Sequence, residues 1–545
     1  MVRAKIIRHG ALCCLGLLAL LGCQNDADWF SVKPPANAHL SLGEGLREPS
    51  PAAPTVFDPG RVPVPSADGP KLAAIGMRVP VRAAPNAGAD VIGTLRLGTR
   101  VARSAEPIGT DGCAGGWYAV RPLGFVCGGD DATTDLEHPI ARAIQVEPNQ
   151  AWPMPYRYGF IRSIAPNYLR VPTKDEQLKY EMRLDRHLRN WKRLGSAWDV
   201  LDVGANDVPL DVRGVALGKI PDHARPLGLS ERFGGSGNDT VPWWLADGRR
   251  IPNLSAFRAP SYAVIANRIK RHAGVAMIGS FVADDRAQNR RFAITTDARL
   301  IPADKIKAHS GSPFHGFEIS EIGLPVAFAF AERTYQYEQT AAGAFEQREL
   351  LERRSLVALN GSVRERGKER WVQTRDGRWL NSSEIRTIVK PSTLPNFANK
   401  KVRWIDISLL QQTLVLYEGN RPVYATLVST GRDGLGEPGK TLSTPQGVFR
   451  VYQKHVTTTM DSDVADSEFE LRDVPWVMYF QSGYALHGAY WHDDFGHARS
   501  HGCVNLAPID ARYVFRFSAP EVPEHWHSAN ATSPFEAGTL INIHP

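Results

Sequence analysis

Three things are scarce in this chain of 545 residues. It lacks an apolar run long enough to span a bilayer, since the best one, 11–22, is only about half the required length. It lacks a strong excess of charge of one sign. The 64 basic and 57 acidic residues leave a net charge of +7, a weak attraction to anionic surfaces. No stretch interleaves basic and aromatic residues as a nucleic-acid module does, so nucleic acid is not expected as a partner. Cysteine is scarce as well, six in all, so each can be accounted for singly. Against these absences, 43% hydrophobic and 22% charged residues describe an ordinary folded protein. The length calls for several domains rather than one core.

The cysteines divide by position. Arg3, Lys5 and Arg8 precede the short apolar run, the pattern of a signal peptide over 1–23. The run ends Leu20-Leu21-Gly22-Cys23, which resembles the lipobox of bacterial lipoproteins. The resemblance implies lipidation of Cys23, an exported protein held on a membrane by its acyl chains, and, with Gln24 next, an outer membrane facing the periplasm. Cys13 and Cys14 would leave with the signal. Cys113 and Cys127 remain as a candidate disulfide in an oxidising compartment. Cys503 is left over, and an odd thiol in an exported protein is a candidate reactive group.

Taken in order, residues 24–70 are rich in proline and alanine and read as an extended tether. Short strand signals punctuated by glycine fill 71–130. Trp117-Tyr118-Ala119-Val120 and Gly124-Phe125-Val126 resemble the closing strands of bacterial SH3-like domains, with Cys113 and Cys127 stapling the hairpin. Such a module either binds a cell-wall peptide or glycan or serves as a spacer. Residues 131–260 form a mixed region with one helix expected near 174–194, opened by a Thr173/Glu176 capping box and stopped at Gly195. Its charges, among them Lys179, Glu181, Arg183, Asp185 and Arg186, read as a solvated face. Trp243-Trp244 reads as core packing rather than a sugar-stacking platform. Residues 290–307 then align without gaps on 369–386, pairing Thr295 with Thr374, Asp297 with Asp376 and Arg299 with Arg378. Both read as strand, tight turn, strand, and imply two related small β modules at 261–310 and 325–390, again loosely similar to SH3-like barrels.

From 401 to 545 the pattern is β throughout, with one helix expected at 508–514. Within it, 485–505 gathers Cys503, four histidines and three glycines. Only a thiolate attacks efficiently, so a thiol nucleophile needs a base. Gly502 permits a sharp turn that presents amides to a developing oxyanion. His487, His492, His497 and His501 are too loosely spaced for a zinc site, so no metal or other cofactor is expected. His492 and His497 read as surface or loop-packing residues, and the acidic run at 461–468 as a solvated loop.

Several short motifs occur here in order: Ile405-Asp406-Ile407-Ser408, Gln412-Thr413-Leu414, Ser429-Thr430-Gly431, Thr444-Pro445-Gln446-Gly447, His487-Gly488 and Ser500-His501-Gly502-Cys503-Val504-Asn505. Together they resemble the catalytic domain of the bacterial L,D-transpeptidases, the YkuD-type fold, over about a quarter of the chain. The resemblance implies a multidomain, mainly β protein: a C-terminal β-sandwich or barrel with a short helix, preceded by SH3-like barrels and a mixed α/β linker region. It implies Cys503 as nucleophile, His487 as general base, Ser500 and His501 as assisting residues, and the Gly502 and Cys503 amides as oxyanion hole. Asn505 stands where many members carry arginine. Gly488, Tyr484 and Trp491 would line the acyl-donor groove, with packing the other reading for the two aromatics. The implied chemistry is acyl transfer from peptidoglycan stem peptides to an amine, on a stem peptide or a wall-attached protein, or to water; the alternative outside enzymes is a wall-binding scaffold with a vestigial site.

Overall fold

The computed structural model describes residues 62–545 apart from 195–201, 204–208, 211–228, 236–238, 252–253, 255–257, 400, 463–468 and 532–536. The signal segment with Cys23, the tether up to residue 61, Gly195 and most of the acidic run lie outside the described residues. What is described is mainly β, with one short helix near the C-terminus.

The C-terminal region is built from β1 (Arg403–Ser408), β2 (Thr413–Glu418), β3 (Arg421–Leu427), β4 (Gly447–Arg450), β5 (Gln453–Ser462), β6 (Phe469–Gln481), β7 (Tyr484–Gly488), β8 (Val504–Leu506), α1 (Pro508–Phe517), β9 (Ser528–Asn530) and β10 (Leu540–His544). One sheet runs β3-β2-β1-β10-β4, with β1 and β10 parallel. The other runs β9-β5-β6-β7-β8, with β7 and β8 parallel. Alternation sends Ile405, Ile407, Leu414 and Leu416 inward to meet Met478, Leu486, Val504 and, from α1, Val514. Trp404, Val415, Tyr417, Ala425 and Leu427 face the other way and are buried by Ile319, Val326, Phe328 and Ile388. Both faces of the first sheet are therefore covered. Pro508 opens α1 with its backbone preset for a first turn. Asp510, fully buried, accepts from Tyr424 Oη at 2.6 Å, the Gly316 amide at 2.8 Å and Thr426. Burial lifts its carboxyl to about 6.

The preceding modules share sheets with this region. The first is a small barrel from Lys71–Ala74 to Phe125–Cys127, closed by Ala132–Thr133, just past the expected limit of 130. Cys113 and Cys127 are bonded. Its strand Val91–Leu95 pairs with β9.

The second module starts earlier than residue 261. Arg157–Ile161 pairs with both Gly274–Val282 and Ile306–His309, and Ala165–Tyr168 pairs with Ile265–Ile269. The boundary at 260 thus cuts through one barrel, because four- and five-residue strands left too little pattern to place them. Gly274 of this barrel pairs with Leu471 of β6.

The helix expected at 174–194 is two, Lys174–Tyr180 and Leu184–Leu194, broken where Arg183 takes φ +53°. The capping box forms as expected. The break turns Glu181 inward, where it meets Arg290 at 2.8 Å and Lys305 at 3.3 Å, so this residue does not belong to a solvated face. Leu178 and Met182 are exposed. Trp244 is buried while Trp243 is open, with Arg142 over its ring.

The internal repeat is structural. Thr295 and Thr374 each donate to an aspartate two residues on and to the carbonyl of Arg299 or Arg378. Ala298 (φ +58°) and Gly377 (φ +87°) make the same left-handed turn. The third module, 325–390, packs beside β1–β3.

Candidate active site

β6, β7 and β8 set the site by register. Tyr479 pairs with Ala485, Leu486 with Val504 and His487 with Asn505. One step back along the ladder, Cys503 stands beside Ala485. Successive side chains alternate, so Tyr479, Ala485, His487, Cys503 and Asn505 share one face. Leu486, Val504 and Leu506 point into the core on the other. Tyr479, Trp491 and Cys503 pack around the apolar group that contains Ala485, Val477 and Tyr490. Cys503 and His487 are thus separated by one strand spacing, about 4.8 Å, and one two-residue step, about 6.6 Å.

Burial governs both groups. It lowers the His487 imidazole to about 4 and raises the Cys503 thiol to about 11, the latter partly offset by the Ala485 backbone. At neutral pH the pair is therefore an uncharged thiol and an uncharged imidazole. In the free protein neither is hydrogen-bonded to the other. Sγ lies 3.8 Å from Gly483 O, and His487 Nδ1 lies 3.4 Å from Gly488 O. A proton on Nδ1 directed at that carbonyl leaves Nε2 as the basic nitrogen. The Trp491 ring covers the imidazole at 5.6 Å.

The turn before the thiol is held by its own neighbours. Ser500 Oγ donates to the Cys503 carbonyl and accepts from the Gly502 amide at 3.1 Å. Of the two amides expected to form the oxyanion hole, Gly502's is therefore engaged inside the loop. Thr444 Oγ1 donates to Gly502 O at 2.8 Å and accepts from the Gly431 amide at 2.9 Å. Gly502 has φ +119°, and a Cβ there would come within 2.6 Å of the Tyr484 ring. Tyr484 is thus a packing partner of the turn.

Gly488, expected in the groove, faces the helix instead. A Cβ there would meet Pro475 and Ala511, because its place in the strand is one step out of phase with His487. His501 is exposed, its pKa lowered by partial burial and by Arg432. His497 lies against Phe330, ring centroids 4.5 Å apart and the planes tilted by 58°. His492 is buried rather than on the surface, 2.9 Å from the Asn505 amide and 4.9 Å from the Phe495 ring. Among the described residues no group of His, Cys, Asp and Glu is placed to hold a metal ion.

Residues 402–540 match the YkuD family model, the L,D-transpeptidase catalytic domain. The matched segment contains Cys503, His487, Ser500 and the Thr444 and Gly431 contacts of the turn. The chain is 26% identical to the putative L,D-transpeptidase YciB of Bacillus subtilis (strain 168), over 25% of this chain and 70% of that protein. Similar solved structures include an L,D-transpeptidase from Xylanimonas cellulosilytica DSM 15894, at 22% identity over 29% of this chain and 64% of that one, TM-score 0.20. The catalytic domain of an E. faecium L,D-transpeptidase is also 22% identical, over 27% of this chain and 98% of that one, TM-score 0.20. This chain therefore spans just under two thirds of the Xylanimonas chain.

Nothing in the β pattern of 401–545 singles out β5, the neighbour of the strand that carries Tyr479. The His492–Asn505 contact joins residues thirteen apart, and only their common approach to β7 would have signalled it.

Proposed function

We propose that this protein is a cysteine L,D-transpeptidase of peptidoglycan stem peptides. The observation that carries the reading is the parallel pairing of β7 with β8, which gives His487 and Cys503 a common face. His487 Nε2 takes the thiol proton as sulfur attacks the donor carbonyl. The tetrahedral oxyanion collapses, the C–N bond to the departing amino acid breaks, and the imidazolium returns its proton to that amine. A thioester on Cys503 remains. An acceptor amine then attacks the thioester, loses its proton to His487 and expels the thiolate. The Cys503 amide is the donor from the turn for the oxyanion, since the Gly502 amide serves Ser500. Because burial keeps both groups neutral before substrate arrives, charge forms only in company with the donor. The motif ending at Cys23 supports export and a lipid anchor, which would hold the enzyme beside its wall substrate.

The test is a purified tetrapeptide donor with and without an acceptor amine, comparing wild type with Cys503→Ala. Wild type should accumulate a thioester adduct, visible by intact mass, and resolve it on the amine. Cys503→Ala should form none. Retained turnover in that variant would remove the thiol from the reaction, while release of free acid alone in the wild type would make the enzyme a hydrolase.

A further inference from the structure

The segment 489–499 joins the base to the nucleophile. It carries Trp491, which covers His487, and His492, which touches Asn505. The YkuD segment ties its far end, through Gly496 N to Val428 O at 2.8 Å and Ser429 Oγ to Asp494 O at 2.9 Å. Its middle is held from outside. Arg354 of the third module donates through Nη1 to Asp493 Oδ1 at 2.7 Å and through Nη2 to the Asp493 carbonyl. Ser312, on the stretch leading into that module, donates to the same Oδ1. Arg386 of the third module donates to Gly496 O at 3.1 Å and lies 3.7 Å over the Phe330 ring, against which His497 packs tilted. Gly496 has φ +100° and no room for a Cβ against Phe330.

We propose that Arg354 is a positioning residue for the reaction. It acts from a module outside the matched catalytic segment, through Asp493, on the placement of Trp491 and His492 against the base. The guanidinium suits this task. It is 9% exposed, and its rigid fork reaches a carboxylate and a main-chain carbonyl of one residue at once, which a lysine cannot do. Asp493 lies two residues from Trp491 and one from His492, so its anchoring fixes where both enter the site. The inference rests on the thiol reading of the site given above.

The experiment uses the full chain with the tetrapeptide donor and an acceptor amine. Arg354→Ala should lower kcat about tenfold with KM changed less than twofold, the signature of lost placement rather than lost substrate binding. Asp493→Ala, at a side chain 52% exposed, should lose the same amount, and the double variant no more than either single one. Asp493→Asn keeps an oxygen for Arg354 and Ser312 and should restore most of kcat. An unchanged kcat in both alanine variants overturns the proposal, as does a rise in KM alone or a double variant whose losses multiply. Turnover by Cys503→Ala would sink the thiol reading separately, and leaves the Arg354–Asp493 coupling to be judged by its own cycle.

Discussion

The two sides of the site are held in different ways. The turn that presents Cys503 is secured by residues of the same region. Gln412 brackets Thr430 through Oε1 and Nε2, Thr430 O accepts the Arg499 and Ser500 amides, and Thr444 clasps Gly431 and Gly502. The segment on the other side, from Trp491 to His497, is pinned by Arg354, Ser312, Arg386 and Phe330. Placement of the Cys503 turn is thus a local property of about a hundred residues. The segment that covers His487 is tied by Val428 and Ser429 of the same region and, at Asp493 and Gly496, by residues outside the matched segment.

This contrast can be broken from either side. Removing the imidazole proposed as base should have the largest effect. His487→Ala should lower kcat/KM by about 10²- to 10⁴-fold, and an unchanged rate would assign the proton to another group.

Gly502→Ala attacks the nucleophile turn from within. A side chain at φ +119° that also meets the Tyr484 ring should destabilise the turn by about 1–3 kcal/mol, with at least tenfold slower alkylation of Cys503 by iodoacetamide. Adding Tyr484→Ala should relieve the steric part and leave the backbone part. Full rescue would show that the positive φ is immaterial.

Thr444→Val removes one hydroxyl that serves two backbone groups and should cost about 1–2 kcal/mol in urea unfolding. A neutral result would mean that the Ser500 and Thr430 ties suffice.

The smallest expected effect is on acid stability. Burial lowers His455 to about 3 and His487 and His492 to about 4. Each folds as the neutral ring, so its contribution is complete above the unfolded value near 6.5 and lost as pH falls from there towards 4. Asp510, raised to about 6, opposes them over part of that range, because acidification relieves its buried charge. His527, held well below its usual value by burial, adds to these three, and together the histidines outweigh Asp510 and predict a melting temperature that drops by a few degrees between pH 6.5 and 4. A rising melting temperature would mean that Asp510 dominates. His487→Ala and His492→Ala should each flatten the slope, which locates the effect in the site.

The local half of the site was legible in the sequence because its parts are close neighbours or short motifs. Ser500 to Cys503 is one turn leading directly into β8, and Thr-Pro-Gln-Gly at 444–447 is a recognisable signature. The Thr-x-Asp turns of the repeat were legible for the same reason, since each side chain bonds its own backbone within four residues. What was not legible is long in reach. Arg354 and Asp493 are 139 residues apart, and nothing in the local pattern of either announces the other. Gly488 was misplaced because a histidine-glycine motif says nothing about which face each residue takes. The limits of the second module failed on the shortness of Ala165–Tyr168, and the broken helix on a buried glutamate whose partners lie more than a hundred residues ahead.

The strand pairings between modules carry one more consequence. β9 is flanked by Val91–Leu95, β6 meets Gly274, and Phe317–Glu318 lies along β3. Cutting the chain at 401 would strip all three borders at once and leave bare rows of amides and carbonyls, ready to join with those of other copies. A truncated fragment should therefore self-associate, and the smallest well-behaved unit includes the first barrel, whose first strand starts at Lys71.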